Sequence, residues 1–155
     1  MLNQNNLEEI KKITEEFFKK MTFEVEIDFL PQKDKTIPIN LKMEEPQILI
    51  GEGGQTMAEI QHLLKSILRK KIVSEEPFYL EIDINGYKKK KYEYLRELAK
   101  SVADEVALTK KEKQLAPMPA HERRIIHLEL AERTDIISES IGQEPERRVV
   151  IKPYP

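Results

Sequence analysis

The sequence contains no cysteine, so it can form no disulfide and no thiolate zinc site, a composition suited to a reducing cytoplasm. It has no run of 18 apolar residues, and its opening stretch Met1–Lys12 lacks the basic-then-apolar layout of a secretory signal. These absences predict a cytoplasmic chain without membrane insertion. Internal repeats and low-complexity linkers are missing too, which argues against solenoids and loosely tethered domains. Glycine is scarce: there are five, and three of them fall within Gly51–Gly54. Net charge is only −2 at pH 7, which by itself points to no polyanionic partner.

What is present is 155 residues, 39% hydrophobic and 35% charged, enough for one moderate core or two small ones. The charge is unevenly placed. Residues 1–86 hold 11 basic and 16 acidic side chains, a net −5, whereas residues 87–155 hold 15 and 12, a net +3. The basic residues of the second half cluster in YKKKKYEY (Tyr87–Tyr94), in Glu122–Arg124 and in Glu146–Arg148. Taken alone, these clusters fit a binding patch and a solvated surface equally well.

Hydrophobic periodicity predicts the elements. Leu7, Ile10, Ile13, Phe17 and Phe18 mark a helix over 6–21, capped by Asn5 or Asn6. Thr22–Leu30 and Thr36–Met43 alternate, which predicts an antiparallel hairpin whose second strand lies at an edge because it contains Pro38. A connector, EEPQILIGEGG, leads to a helix over 55–72 and then to a strand over 78–84, closed by the turn Asn85-Gly86. In the second half a long helix covers 89–108. After LAPMPA comes a short helix, HERRIIHLELA, and then a strand pair from DIISES and RRVVIKP. The predicted fold class is α+β, two small modules packed closely, over 1–86 and 87–155, with the long helix in the second.

The glycines open the stretch LIGEGGQTMAEIQHLL (Leu49–Leu64). A helix N-terminus leaves backbone N–H groups unpaired and carries partial positive charge, so a glycine-rich start lets a phosphate reach those donors. The stretch is not a Walker loop, since Gln55 follows the last glycine, and not G-x-G-x-x-G, since Thr56 holds the third glycine's place. Its pattern is Ile-Gly-x-x-Gly-x-Thr, from Ile50 to Thr56. A tight turn into a helix would look the same.

In its order of elements this stretch resembles the GXXG loop of a bacterial-type KH domain, which clamps about four single-stranded nucleotides by backbone contacts. Further along, PMPAHERRIIH places Arg123 and His127 four apart, similar to the Arg-x-x-x-His signature of the R-three-H domain. The tandem, with INGYKKKKYEYLRELA and SIGQEPERRVVI, resembles the Jag (SpoIIIJ-associated, KhpB/EloR) family over nearly the whole chain. Residues 1–86 would then be the KH domain and 87–155 the R-three-H domain.

On a helix, Arg123 and His127 share a face and offer planar donors for a phosphate or an unstacked base. The plainer alternative is a buried histidine bonded to backbone, with Arg123 paired to Glu122 or Glu129. Ile125, Ile126, Leu128 and Leu130 are the residues expected to anchor that helix. Arg147 and Arg148 point to alternate faces of the last strand, so one of them joins a patch, unless both only protect an edge.

Catalysis finds little support. His121 and His127 lie six apart, about 120° around a helix, and H-E-R-R-I is not H-E-x-x-H. His62 sits beside an apolar stripe, and no nucleophile motif is present. The expectation is no enzyme, no metal and no cofactor.

The sequence reading is therefore a single-stranded RNA-binding protein. The backbone is held by Gly51, Glu52, Gly53, Gly54, Gln55 and Thr56. Arg123, His127, Arg147, Arg148, Lys88 and Lys89 extend the path. The resemblance implies a bacterial post-transcriptional regulator linked to cell elongation and envelope growth. It also implies a partner, either a small stand-alone KH protein or a second copy joined through the KH domain. Two alternatives stand. One is an adaptor or dimerisation module with weakened RNA binding, favoured by Glu52, since KH domains that bind RNA usually carry Arg or Lys there. The other is single-stranded DNA binding through the C-terminal module.

Overall fold

A computed structural model describes residues 2–155. Helices and strands are mixed throughout, an α+β protein, and the chain divides into a first unit ending at Lys88 and a second, Lys89–Pro155.

The first unit opens with α1 (Gln4–Lys20), capped by Asn3, whose side chain accepts the Asn6 N–H at 2.8 Å. The cap lies earlier than Asn5 or Asn6 because the helix begins with the polar residues Gln4–Asn6, which carry no apolar mark, before Leu7. Ile10, Ile13 and Phe18 turn inward. Thr22 has φ 62°, which turns the chain, so β1 starts only at Glu26 and runs to Phe29. It pairs antiparallel with β2 (Thr36–Lys42), from Glu26 opposite Lys42 to Phe29 opposite Ile39, the expected hairpin. β3 (Tyr79–Ile84) pairs parallel to β2 on its other side. β2 is thus central, and the edge position inferred from Pro38 is wrong. The Pro38 carbonyl accepts from Leu30, just past the end of β1, so the missing N–H falls where that ladder is already ending.

Ile37, Ile39 and Leu41 of β2 and Leu80, Ile82 and Ile84 of β3 are buried on one sheet face, against α1 and against α3 (Gln55–Lys71) through Leu64 and Leu68. Burying one such side chain contributes about 1.5–3 kcal/mol. The Asn85 side chain bonds both backbone groups of Met43, tying the β3 end to the β2 end.

In the second unit α4 (Tyr87–Thr109, its first two residues in the first unit) buries Leu95, Ala99, Ala103 and Val106 along one stripe. β4 (Lys113–Gln114), α5 (Ala120–Leu130), β5 (Ile136–Ile141) and β6 (Arg148–Pro153) follow, with sheet order β4-β6-β5, all antiparallel. The β5–β6 pair matches the expected closing strands. The short β4 was not expected, and it makes β6 the central strand, with Val149, Val150 and Ile151 buried in succession. Edge protection therefore does not explain Arg147 and Arg148. Ile126 and Leu130 anchor α5, with Ile125 partly buried, whereas Leu128 is 64% exposed and does not. Among the described residues no helix is long and apolar enough to cross a membrane.

Candidate nucleic-acid interface

In the first unit the expected connector is partly helical. Pro46 starts the single turn α2 (Gln47–Ile50), which buries Leu49 and Ile50 and ends at Gly51. Gly51 has φ 71° and ψ −177°, a conformation that demands glycine, and a Cβ there would also collide with Thr56, whose backbone nitrogen is 2.9 Å from that position. Residues Glu52–Gly54 make one tight turn with Gly53 at φ 61° and Gly54 at φ 84°. A Cβ on Gly54 would lie 3.0 Å from the Tyr87 ring, while one on Gly53 would meet nothing within 4 Å. Gly51 and Gly54 are thus fixed by close approach, and Gly53 presents open backbone.

Gly54 caps α3 in the left-handed region without a side-chain hydrogen bond, so the first turn of a 17-residue helix offers its N–H groups uncapped by any side chain. Glu52 is exposed beside that positive end. Gln55 is exposed and its amide donates to Glu59 at 3.1 Å. Thr56 is half-buried against Gly51. Lys88 lies 3.3 Å from Glu81, and Lys89 is exposed.

In the second unit the Arg-x-x-x-His pair faces inward. Arg123 is 6% exposed. Its Nε donates to the Met118 carbonyl at 3.1 Å, and its Nη2 donates to Glu144 at 2.5 Å. The guanidinium therefore braces the segment before α5 and the β5–β6 connection. Neither Glu122 nor Glu129 is its partner. His127 is half-buried, with Nδ1 2.8 Å from the Ser138 hydroxyl and Nε2 2.8 Å from the Ser140 hydroxyl. Burial, and then the Arg123 charge, lower its pKa below the ordinary 6.5, so the neutral ring is the form held, donating to one serine and accepting from the other.

Arg147 is exposed, and its carbonyl accepts from the Met118 N–H, so both backbone groups of Met118 are held, one by Arg123 and one by Arg147. Arg148 is partly buried against Glu146. Arg124 projects to solvent one residue after the buried Arg123. Ser138, Ser140 and Glu144 are the residues that sequence reading missed. The two serines left a faint signal, two apart on a strand and hence on one face.

Residues 93–153 match the family of the R-three-H domain. The chain is 35% identical over 138 residues to the RNA-binding protein KhpB of Clostridium symbiosum, covering 88% of this chain and 61% of that one. It is 31% identical over 131 residues to the protein of the same name from Lactiplantibacillus plantarum, covering 84% and 39%. With the Bacillus subtilis KhpB it shares 34% over 122 residues, covering 77% and 58%. The chain thus spans less than two thirds of the length of each of these relatives. It is similar to the KhpB proteins over most of its own length, and its residues 93–153 match the R-three-H domain.

Proposed function

We propose that this chain binds single-stranded RNA in the cytoplasm, with the first unit acting as a bacterial-type KH domain. The observation that carries this reading is the turn Gly51–Gly54. It has open backbone at Gly53, left-handed glycines on either side and the uncapped start of α3 behind it. Such a turn can hold a sugar-phosphate backbone through N–H groups, without side-chain charge. The relatives' name, RNA-binding protein KhpB, supports the ligand class. In the second unit the exposed Arg124 and Arg147 supply cations, with Lys89 from the start of α4, while Arg123 and His127 shape the surface that carries them. Post-transcriptional regulation, a link to cell elongation and pairing with a stand-alone KH protein or a second copy rest on the family resemblance.

The test is anisotropy of a labelled single-stranded RNA decamer at two salt concentrations, with the DNA version alongside. Wild type should bind more tightly at low salt. Gly53→Asp, which adds charge where space is open, should weaken binding at least tenfold, and Arg124→Ala with Arg147→Ala should lower the salt slope. No binding at low salt would overturn the proposal. The adaptor reading, favoured by the exposed Glu52, would then take its place. Equal binding of DNA would move the ligand class to single strands in general.

A further inference from the structure

The first unit also holds a cleft that the glycine turn does not use, a volume of about 1380 Å³ open to solvent between the end of α1, β1, the end of β2 and α2. Its apolar lining comes from Phe23, Val25, Ile27, Met43 and Ile48. Ile48 is 53% exposed, although the next two residues of its helix turn, Leu49 and Ile50, are core. Around these apolar groups stand Glu15, Glu24, Glu26, Glu44 and Glu45, against Lys19 and Lys42 alone. None of the five carboxylates has an ion-pair partner among the described residues. β1 lines the cleft and is an edge strand, with one row of backbone groups facing no other strand.

We infer that this cleft docks a lysine- or arginine-rich segment of a partner protein, bearing one apolar anchor, along β1. A net −3 rim repels the phosphates of a nucleic acid and attracts cationic side chains. The apolar floor rewards a hydrophobic anchor that a small polyamine lacks. A metal ion is a poor fit, since no three carboxylate or imidazole groups among the described residues are gathered to ligate one. Cation recognition here and phosphate recognition at Gly51–Gly54 call for opposite charge, so the two sites would take different ligands.

The probe is a fluorescein-labelled lysine-rich peptide with one central phenylalanine, followed by anisotropy on the full chain. A second peptide replaces the phenylalanine with glycine. The double variant Glu24→Lys, Glu26→Lys should weaken the first peptide at least tenfold. The exposed pair Glu8→Lys, Glu9→Lys, on α1 outside the cleft and equal in charge change, should leave it within twofold. Ile48→Ser should weaken the phenylalanine peptide severalfold and the glycine peptide hardly at all. Equal losses from the two charge-reversed pairs would reduce the effect to general attraction and overturn the inference, as would no binding to wild type. Sedimentation showing self-association abolished by Glu24→Lys, Glu26→Lys would assign the cleft to a second copy instead and overturn it too. Binding of the RNA decamer should persist in all these variants, which keeps this test separate from that of the glycine turn.

Discussion

Arg123 joins two segments far apart in sequence, donating to the Glu144 carboxylate on the β5–β6 connection and to the Met118 carbonyl before α5. The arginine side is 8% exposed and the glutamate side 55%, so the two partners do not depend equally on the bond. Arg123→Ala leaves a buried carbonyl without its charged donor and should cost about 2–3 kcal/mol. Glu144→Gln, whose amide is readily hydrated, should cost about 1 kcal/mol or less. Arg123→Lys should not recover the loss, because an ammonium cannot reach both acceptors with the geometry of a fork. Urea unfolding of the three variants checks the order. An Arg123→Ala loss no larger than that of Glu144→Gln would mean that the guanidinium does not brace the fold.

His127 makes stability depend on pH in a stated direction. Its pKa is lowered in the folded state, first by burial and then by Arg123, whereas the unfolded chain titrates near 6.5. Below that pH the unfolded state binds more protons, so stability is full above about 6.5 and is lost as pH falls toward the folded value. Wild type should therefore be less stable at pH 5.5 than at 7.5, and His127→Gln, which can still bond one serine, should lose most of that difference. An identical pH dependence in the variant would assign the effect to other groups.

Much of the fold was legible because its apolar residues keep time with one period. Ile37, Ile39 and Leu41 alternate, Leu95, Ala99 and Ala103 repeat every fourth residue, and each set is buried on one face. The failures lie where position is decided by partners distant in sequence. Pro38 sits in a central strand because β1 ends beside it, β4 is two exposed polar residues recruited by β6, and α2 is too short to show a period. At the site, Gly51, Gly54 and Thr56 form one packed turn, consistent with the motif's spacing. The spacing of Arg123 and His127 placed them on one face without saying which way that face turns. Glu144, 21 residues away, and Ser138 and Ser140, on another strand, draw it inward.

The glycines of the turn should separate in stability. Gly51→Ala drives a methyl into Thr56, in a backbone region closed to other residues, so it should destabilise by about 3 kcal/mol or unfold the first unit. Gly53→Ala meets open space and bears only the strain of its positive φ, about 1 kcal/mol. Thermal melting of both distinguishes the roles. Equal losses would mean that Thr56 can move aside and that Gly51 is not fixed by packing.

Glu52 gives the sharpest test of where a nucleic acid runs. It is exposed at the start of the turn, beside the positive end of α3, and a phosphate held by the N–H groups there would pass within a few ångströms of its carboxylate. Two unit charges about 4 Å apart in water interact by about 1 kcal/mol, so replacing a repulsion with an attraction changes binding by about 2 kcal/mol at low salt. Glu52→Lys should therefore tighten RNA binding up to roughly thirtyfold at low ionic strength, with the gain shrinking as salt is raised. Glu52→Gln should give about half of that free energy. Exposure of the side chain keeps the stability cost of either substitution small, about 1 kcal/mol for the lysine beside the positive end of α3, so both variants stay folded for the binding measurement. Affinity unchanged in both variants would place the phosphates elsewhere than this turn.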